Sequence, residues 1–326
     1  MRRILPFMVL CGCGSKEMTP MADSWQLDRL RLLGVRAEVV GANDPVLGTR
    51  AEPRPGETVA FTSLTYNPSE STEGGSIWIA CLTDGADAYG CDGEEDAFEA
   101  FDALDDDSTL AEFAAAIEAA RAAGVIGLPP LYEPEWTIPT DALDALSETE
   151  RLEGLSAVIT VSLTDQGFED EEDSSDDEAA PDPDEVEVGF KRMPVSEALT
   201  PNHNPDVVDF TVAGERLNGA SGFTARRGYT YIIEPIIPDA HTETYVYLNS
   251  DGEEEFRTEE PFFTWYTELG AAGLSKQAGF DQPLSLAPAL DVEWTAPKNA
   301  TTVHLFVVVR DRRGGMGWRS LKVNVL

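Results

Sequence analysis

Few residues of this 326-residue chain are placed to do chemistry, and the first of them is a thiol near the N-terminus. Met1-Arg2-Arg3 leads into an apolar run over 4–10 and then into Leu10-Cys11-Gly12-Cys13-Gly14-Ser15. A basic start, a short apolar stretch and small residues before a cysteine make a secretory signal rather than a piece of fold. The run is far shorter than the ~20 apolar residues a membrane-spanning helix needs. Cleavage after Gly12 would discard residues 1–12 and leave Cys13 at the head of a polar linker over 13–24.

This arrangement resembles bacterial lipoprotein signals, in which Leu, a small pair and Cys form the lipobox. Leu10, Gly12 and Cys13 match that pattern, and Cys11 is an uncommon but small occupant between them. The resemblance implies that Cys13 becomes a diacylglyceryl thioether and the lipid-bearing N-terminus, with palmitate among its acyl chains. Two or three such chains, at ~0.8 kcal/mol per buried CH₂, make membrane attachment effectively lasting. Gly14 is not the aspartate that retains well-studied lipoproteins in the inner membrane. That departure implies outer-membrane sorting, with the periplasmic or surface-facing orientation left open.

The remaining cysteines, Cys81 and Cys91, form one even pair with Gly85 and Gly90 between them. An oxidising compartment allows a disulfide there, with two free buried thiols as the alternative. No histidine lies nearby and the spacing is not that of a zinc site. The three histidines are His203, His241 and His304, each in a separate segment without a second ligand at helical or turn spacing. His304 alternates with Val303 and Leu305, which places it on the solvent side of a strand. The sequence contains no nucleophile elbow, no zincin helix and no phosphate-cradling glycine loop. Neither a metal nor a cofactor is expected, and no catalysis. The rival from another class is a carbohydrate-active enzyme on a β-sandwich scaffold, for which composition singles out no pair among 60 carboxylates.

Charge describes the surroundings of the protein. Against 60 acidic residues stand 23 basic ones, a formal net charge of −37. A field of that sign repels phosphate backbones, so nucleic acid is not an expected partner. Only five of the basic residues are lysine. Few lysines with many carboxylates is a composition suited to salty water, where short screening lengths relieve self-repulsion. The acidic residues crowd between Glu169 and Glu187, where twelve of 19 positions are Asp or Glu. Such a stretch buries too little apolar area to offset its ordering entropy, so the connection over 165–185 is expected to be disordered. It lacks the alternating ligands and turn glycine of a calcium loop. Arg310-Asp311-Arg312-Arg313-Gly314-Gly315 is its opposite, a basic turn in an acidic protein. Arg310, Arg312 and Arg313 are candidates for contact with an acidic partner, or for pairing with the protein's own acidic surface.

The elements that position these residues recur in one order. Gly56-Glu57-Thr58-Val59-Ala60-Phe61 is matched by Gly228-Tyr229-Thr230-Tyr231-Ile232-Ile233, a glycine turn opening a strand. Trp78 and Trp265 each sit in the next apolar strand. Glu135-Trp136-Thr137-Ile138-Pro139 and Glu293-Trp294-Thr295-Ala296-Pro297 share four of five residues. A run of period-two alternation follows each copy, at Ile159, Val161 and Leu163 and at Val303, Leu305, Val307 and Val309. Strands punctuated by Pro and Gly predict an all-β chain of two Ig-like β-sandwiches in tandem, over 25–198 and 199–326. Trp78, Trp136, Trp265 and Trp294 are expected in their cores. The first copy carries a helical insert over about 94–124: a short helix at 96–104, then one capped by Thr109 and Glu112. That second helix is expected to pack through Leu110, Phe113, Ala114 and Ile117, and to stop at Gly124.

From Thr200-Pro201-Asn202-His203-Asn204-Pro205 to the basic turn, the chain resembles uncharacterised lipoproteins of gliding, predatory Gram-negative bacteria. Cys13, Pro55-Gly56-Glu57-Thr58, Trp265-Tyr266 and Trp294-Thr295-Ala296-Pro297 carry the same similarity. It implies Ig-like extracytoplasmic modules and supplies no activity. The expectation is a lipid-anchored binding or structural protein of the bacterial envelope, meeting another envelope protein or polymer through its loop tips. An inert envelope spacer is the remaining alternative.

Overall fold

Alternating β-branched and aromatic residues form strands throughout, and the computed structural model of the chain is mostly β. It describes residues 26–68, 75–83, 91, 109–129, 132–164, 186–248, 253–268, 279–280 and 291–326. Cys13, the helix expected at 96–104 and the acidic stretch over 165–185 lie outside the described residues. The first half contains β1 (Gln26–Leu27), β2 (Arg31–Val39), β3 (Asn43–Asp44), β4 (Gly48–Thr49), β5 (Thr58–Tyr66) and β6 (Gly75–Thr83). Helix α1 (Leu110–Ala122), β7 (Val125–Gly127), β8 (Glu135–Thr137), α2 (Glu148–Glu153), β9 (Leu155–Thr164) and β10 (Val186–Val195) follow. The second half begins with β11 (Asp209–Val212), β12 (Glu215–Arg216), β13 (Gly222–Ala225), β14 (Thr230–Ile236), β15 (Thr244–Leu248) and β16 (Glu254–Thr258). It closes with β17 (Phe262–Glu268), β18 (Gly279–Phe280), β19 (Val292–Thr295), β20 (Thr301–Arg310) and β21 (Met316–Val325).

Two pairs of sheets enclose two apolar clusters. A sheet ordered β2-β5-β8 and another ordered β10-β9-β6-β7 contribute Val35, Phe61, Trp78, Ile159 and Met193 to the first. Sheets ordered β12-β11-β14-β19-β18 and β1-β17-β20-β21-β13 contribute Phe210, Ile233, Trp265, Trp294 and Val307 to the second. Three neighbours in one sheet and three in the other follow the A-B-E and G-F-C orders of an Ig-like β-sandwich. Alternation explains the burial: Val303, Leu305, Val307 and Val309 point inward from β20 and are all buried.

The repeated sequence landmarks have the same geometry. Thr58, Val59 and Ala60 pair with Thr137, Trp136 and Glu135, just as Thr230, Tyr231 and Ile232 pair with Thr295, Trp294 and Glu293. The threonine hydroxyls lie 2.9 Å apart in the first pair and 3.0 Å apart in the second. Gly56 (φ 83°) and Gly228 (φ 69°) open both strands in the left-handed region, where a side chain would be strained. Trp78, Trp265 and Trp294 are buried, whereas Trp136 is only partly covered.

Helix α1 keeps its predicted capping box and its stop at Gly124 (φ 101°). Its packed face is turned from the one expected. Ala116 and Ala120 are buried and Ala114 is exposed. Small residues let the helix approach Ile79 and Val125 on the outer face of β6 and β7, where Cys91 also packs. The segment from Gln26 to Leu27 falls within the first half by sequence, but pairs in parallel with Thr267 and Glu268 of β17. A further apolar cluster of Leu27, Leu33 and Val308, with Leu64, Tyr66, Phe306 and Trp318 against it, joins the two halves.

Candidate functional site

The turn between β20 and β21 is built around Asp311, not around the arginines that flank it. Its carboxylate accepts hydrogen bonds from the backbone N–H of Arg313 (2.7 Å) and Gly315 (3.0 Å) and from Asn202 Nδ2 (2.9 Å). A Cβ on Gly315 would lie 1.9 Å from Asp311 Oδ2, so only glycine fits there. Burial pushes the Asp311 carboxyl up from its ordinary value, against the lowering effect of the Asn202 and Arg313 donors. Lys191 donates to Gly314 O from β10, and its own burial pulls it down to about 8.

The three arginines then part company. Arg310 turns inward, donating to Thr264 Oγ1 (3.1 Å) and to Leu33 O of the first half (3.0 Å). Arg313 is also turned inward, with its guanidinium 2.9 Å from Glu259, 3.5 Å from Glu243 and 3.5 Å from Glu52. It also donates to Thr200 O at 2.8 Å and lies over the Tyr245 ring at 4.1 Å. Only Arg312 keeps an exposed side chain, 54% accessible, with Glu260 4.0 Å away. Of the three sequence candidates for partner contact, two are therefore spent inside the molecule.

Around Arg313 the chain has placed an ionic cluster that the sequence did not announce. Glu243 and Glu259 stand at the two roots of the β15–β16 hairpin. Glu259 N–H donates to Glu243 O (2.9 Å), and Glu243 N–H donates to the Glu259 carboxylate (3.0 Å). Burial raises Glu259 to about 7, despite that N–H and the nearby guanidinium. Glu52 receives the N–H of Asn202 (2.8 Å) and the hydroxyl of Ser196. The linker between the halves is pinned by two fully buried asparagines. Asn202 reaches Asp311, while Asn204 donates to Ala37 O (2.7 Å) and accepts from Met316 N–H (2.9 Å). His203 between them pairs with Glu243 at 2.8 Å. His241 accepts from Asp206 N–H (3.0 Å), and His304 pairs with Glu268 at 3.0 Å. The three histidines thus do not converge, and among the described residues no group of three or more His, Cys, Asp or Glu is disposed to hold a metal ion.

Beside this cluster lies a groove of about 340 Å³ between the β15–β16 hairpin and the first half. Leu152 and Pro194 form one wall, Tyr245 and Tyr247 the other, and Arg313 and Glu52 reach its floor. A smaller hollow of about 320 Å³ that also reaches Arg313 is lined by His203, Glu243 and Tyr245. Cys81 and Cys91 are elsewhere, joined as the disulfide expected from their spacing with Cα atoms 5.6 Å apart. Among the described residues no helix is long and apolar enough to cross a membrane.

No protein-family model matches the chain, and no curated protein does. Solved structures similar to it include a nucleoside hydrolase-related hypothetical protein from Saccharophagus degradans that is associated with carbohydrate metabolism. That likeness has 20% identity, a TM-score of 0.25, and covers 39% of this chain but only 26% of the other. Fibronectin(III)-like modules of CbhA from Clostridium thermocellum are 10% identical over 89% of this chain and 93% of theirs, with a TM-score of 0.22. Murine CEACAM1b is 11% identical over 90% of this chain and 100% of its own, also with a TM-score of 0.22.

Proposed function

We propose that this chain is a lipid-anchored extracytoplasmic protein of the bacterial envelope with a binding or structural role, built from two Ig-like modules in tandem. The repeated pairing of Thr58–Ala60 with Glu135–Thr137 and of Thr230–Ile232 with Glu293–Thr295 carries the modular reading. It is supported by two separate apolar cores and by a disulfide suited to an oxidising compartment. Cys13 carries the acyl anchor and places the protein on a membrane face, with the outer membrane favoured by Gly14. Gln26–Leu27 then connects the anchored linker to the second module's sheet rather than to the first. Loop tips are the surfaces that meet an envelope protein or polymer, because sandwich loops carry recognition while strands carry stability. Of the basic turn only Arg312 is exposed enough to take part. The carbohydrate-active alternative calls for paired carboxylates beside an exposed tryptophan. The groove beside Arg313 is lined by Glu52, Glu153 and Glu254, but its aromatic side chains are Tyr245 and Tyr247 rather than a tryptophan.

The test is to fractionate cells expressing the wild type and Cys13→Ser. The wild type is expected in membranes with an acyl mass on Cys13, and the serine variant in the soluble fraction. Equal partitioning of the two would overturn the anchor and the envelope role with it. Saturable capture of a partner from native membranes separates a binder from an inert spacer.

A further inference from the structure

The β15–β16 hairpin projects from the second half, forms one wall of the groove, and is held at both roots by glutamates that share a single guanidinium. Glu243 precedes β15, Glu259 follows β16, and both reach Arg313, as does Glu52 from the first half. The side chains of Glu259, Glu52 and Glu243 are 1%, 8% and 12% exposed. Asp311 lies behind them, fully buried. Four carboxylates therefore face two cations, Arg313 and Lys191, in a space largely closed to water. Like charges so placed cannot all ionise at full strength. The arrangement has room for a proton and a mechanical consequence for where that proton sits.

We propose that this cluster is a proton-operated latch: a proton held at Glu259 keeps the β15–β16 hairpin closed against the linker and the β20–β21 turn, and its loss frees the hairpin and widens the groove. Glu259 is the member best placed to carry the proton. It is the most deeply buried of the three that reach Arg313, and burial raises it to about 7. The groups that face it are Glu243 at the root of β15 and Arg313 and Asp311 of the β20–β21 turn; behind these, Glu52 of the first half meets the same guanidinium, His203 of the linker pairs with Glu243, and Lys191 of β10 acts on Asp311. When Glu259 ionises, Arg313 must serve three carboxylates, and the hairpin that carries two of them is pushed outward. Tyr245 and Tyr247 move with the hairpin, so their wall of the groove moves too. The latch does not depend on the lipid anchor or on any particular envelope partner.

The sign follows from linkage. A carboxyl raised in the closed form binds its proton more tightly there than in the open form. Its contribution to closure is complete below the ordinary carboxylate value of 4.5 and is lost as pH rises towards 7. Between pH 5.5 and pH 7.5 the opening equilibrium of the hairpin should grow roughly twenty-fold. The upper pH stays below the value to which Lys191 is drawn, so that Lys191 remains mostly charged.

Hydrogen–deuterium exchange on the full chain reads this directly, after correction for the intrinsic pH dependence of amide exchange. Amides of 244–248 and 254–258 are followed, with β20 and β21 as the internal reference. In the wild type the hairpin's protection is expected to fall about twenty-fold relative to the reference. In Glu259→Gln, which stays uncharged, it should change less than three-fold and remain at the protected level. Any contribution from His203 persists in that variant and is removed by the comparison. A wild-type change below three-fold overturns the latch, and so does an equal change in both proteins. Failure of Glu259→Gln to fold overturns it as well, because the held state carries that side chain neutral.

Discussion

Arg313 shows why a basic turn on an acidic protein need not be a docking surface. Its guanidinium lies over an aromatic ring and meets three carboxylates and a backbone carbonyl. Replacement by alanine would leave Glu52, Glu243 and Glu259 crowded together without their cation. Removing one partner from a buried ionic network typically costs about 3–5 kcal/mol, far more than the loss of a surface pair. We expect Arg313→Ala to lower the free energy of unfolding by that amount in a denaturant titration, while Arg312→Ala changes it by less than about 0.5 kcal/mol. Equal effects of the two substitutions would mean that the cluster is solvated and carries little stability. Parts of the cluster were open to a reading of the sequence. Lys191 falls in phase with Met193 and Val195 on β10, both buried, so alternation alone places a lysine on the inward face. A buried lysine needs a partner, and that requirement points to the junction. Glu52, Glu243 and Glu259 carried no such signal, since each lies outside a period-two run and one glutamate among many looks like the next.

At the scale of elements, legibility followed repetition. The tryptophan strands, glycine turns and alternating runs of the two halves were visible because each landmark occurs twice in one order. The pairing partners inside each sheet follow from that order. Helix α1 was legible at its ends, where Thr109, Glu112 and Gly124 act locally. Its packed face was not, because apolar spacing favoured Ala114 while packing beside β7 selected Ala120, with Ala116 buried one turn before it. The pairing of β1 with β17 left no trace in the sequence: two residues are too few to show a period. The Cys81–Cys91 disulfide ties the start of the helical insert to β6, on the sheet face that α1 covers. Closing so short a loop is worth about 2–3 kcal/mol on the chain-entropy estimate. Reduction should therefore lower unfolding stability by that amount and raise exchange in α1 more than in β20 and β21. Loss of stability spread evenly over both halves would mean that the bridge acts on the whole chain rather than on the insert.

For the molecule as a whole, the governing quantity is a formal net charge of −37. The two halves are joined by an apolar cluster, by Arg310 reaching Leu33 O, and by a linker pinned through Asn202 and Asn204. Such a junction fixes one half against the other, so their like charges cannot relax by drifting apart. Self-repulsion then acts on the folded state more strongly than on an expanded chain. Salt relieves it, since the screening length falls from about 10 Å at 0.1 M to about 3 Å at 1 M. The ion pairs around Arg313 lie too deep for that screening to weaken them much, so the gain at the surface is not cancelled at the junction. Stability should therefore rise by about 1–2 kcal/mol between 0.1 and 1 M sodium chloride, or ~2–8 °C in Tm for folded units of this size. Chloride is the appropriate salt, because sulfate would strengthen apolar burial in any protein. A melting temperature that stayed level or fell across that range would show that the carboxylates are spaced widely enough for repulsion not to matter, and that the abundance of Asp and Glu has another origin than salty surroundings.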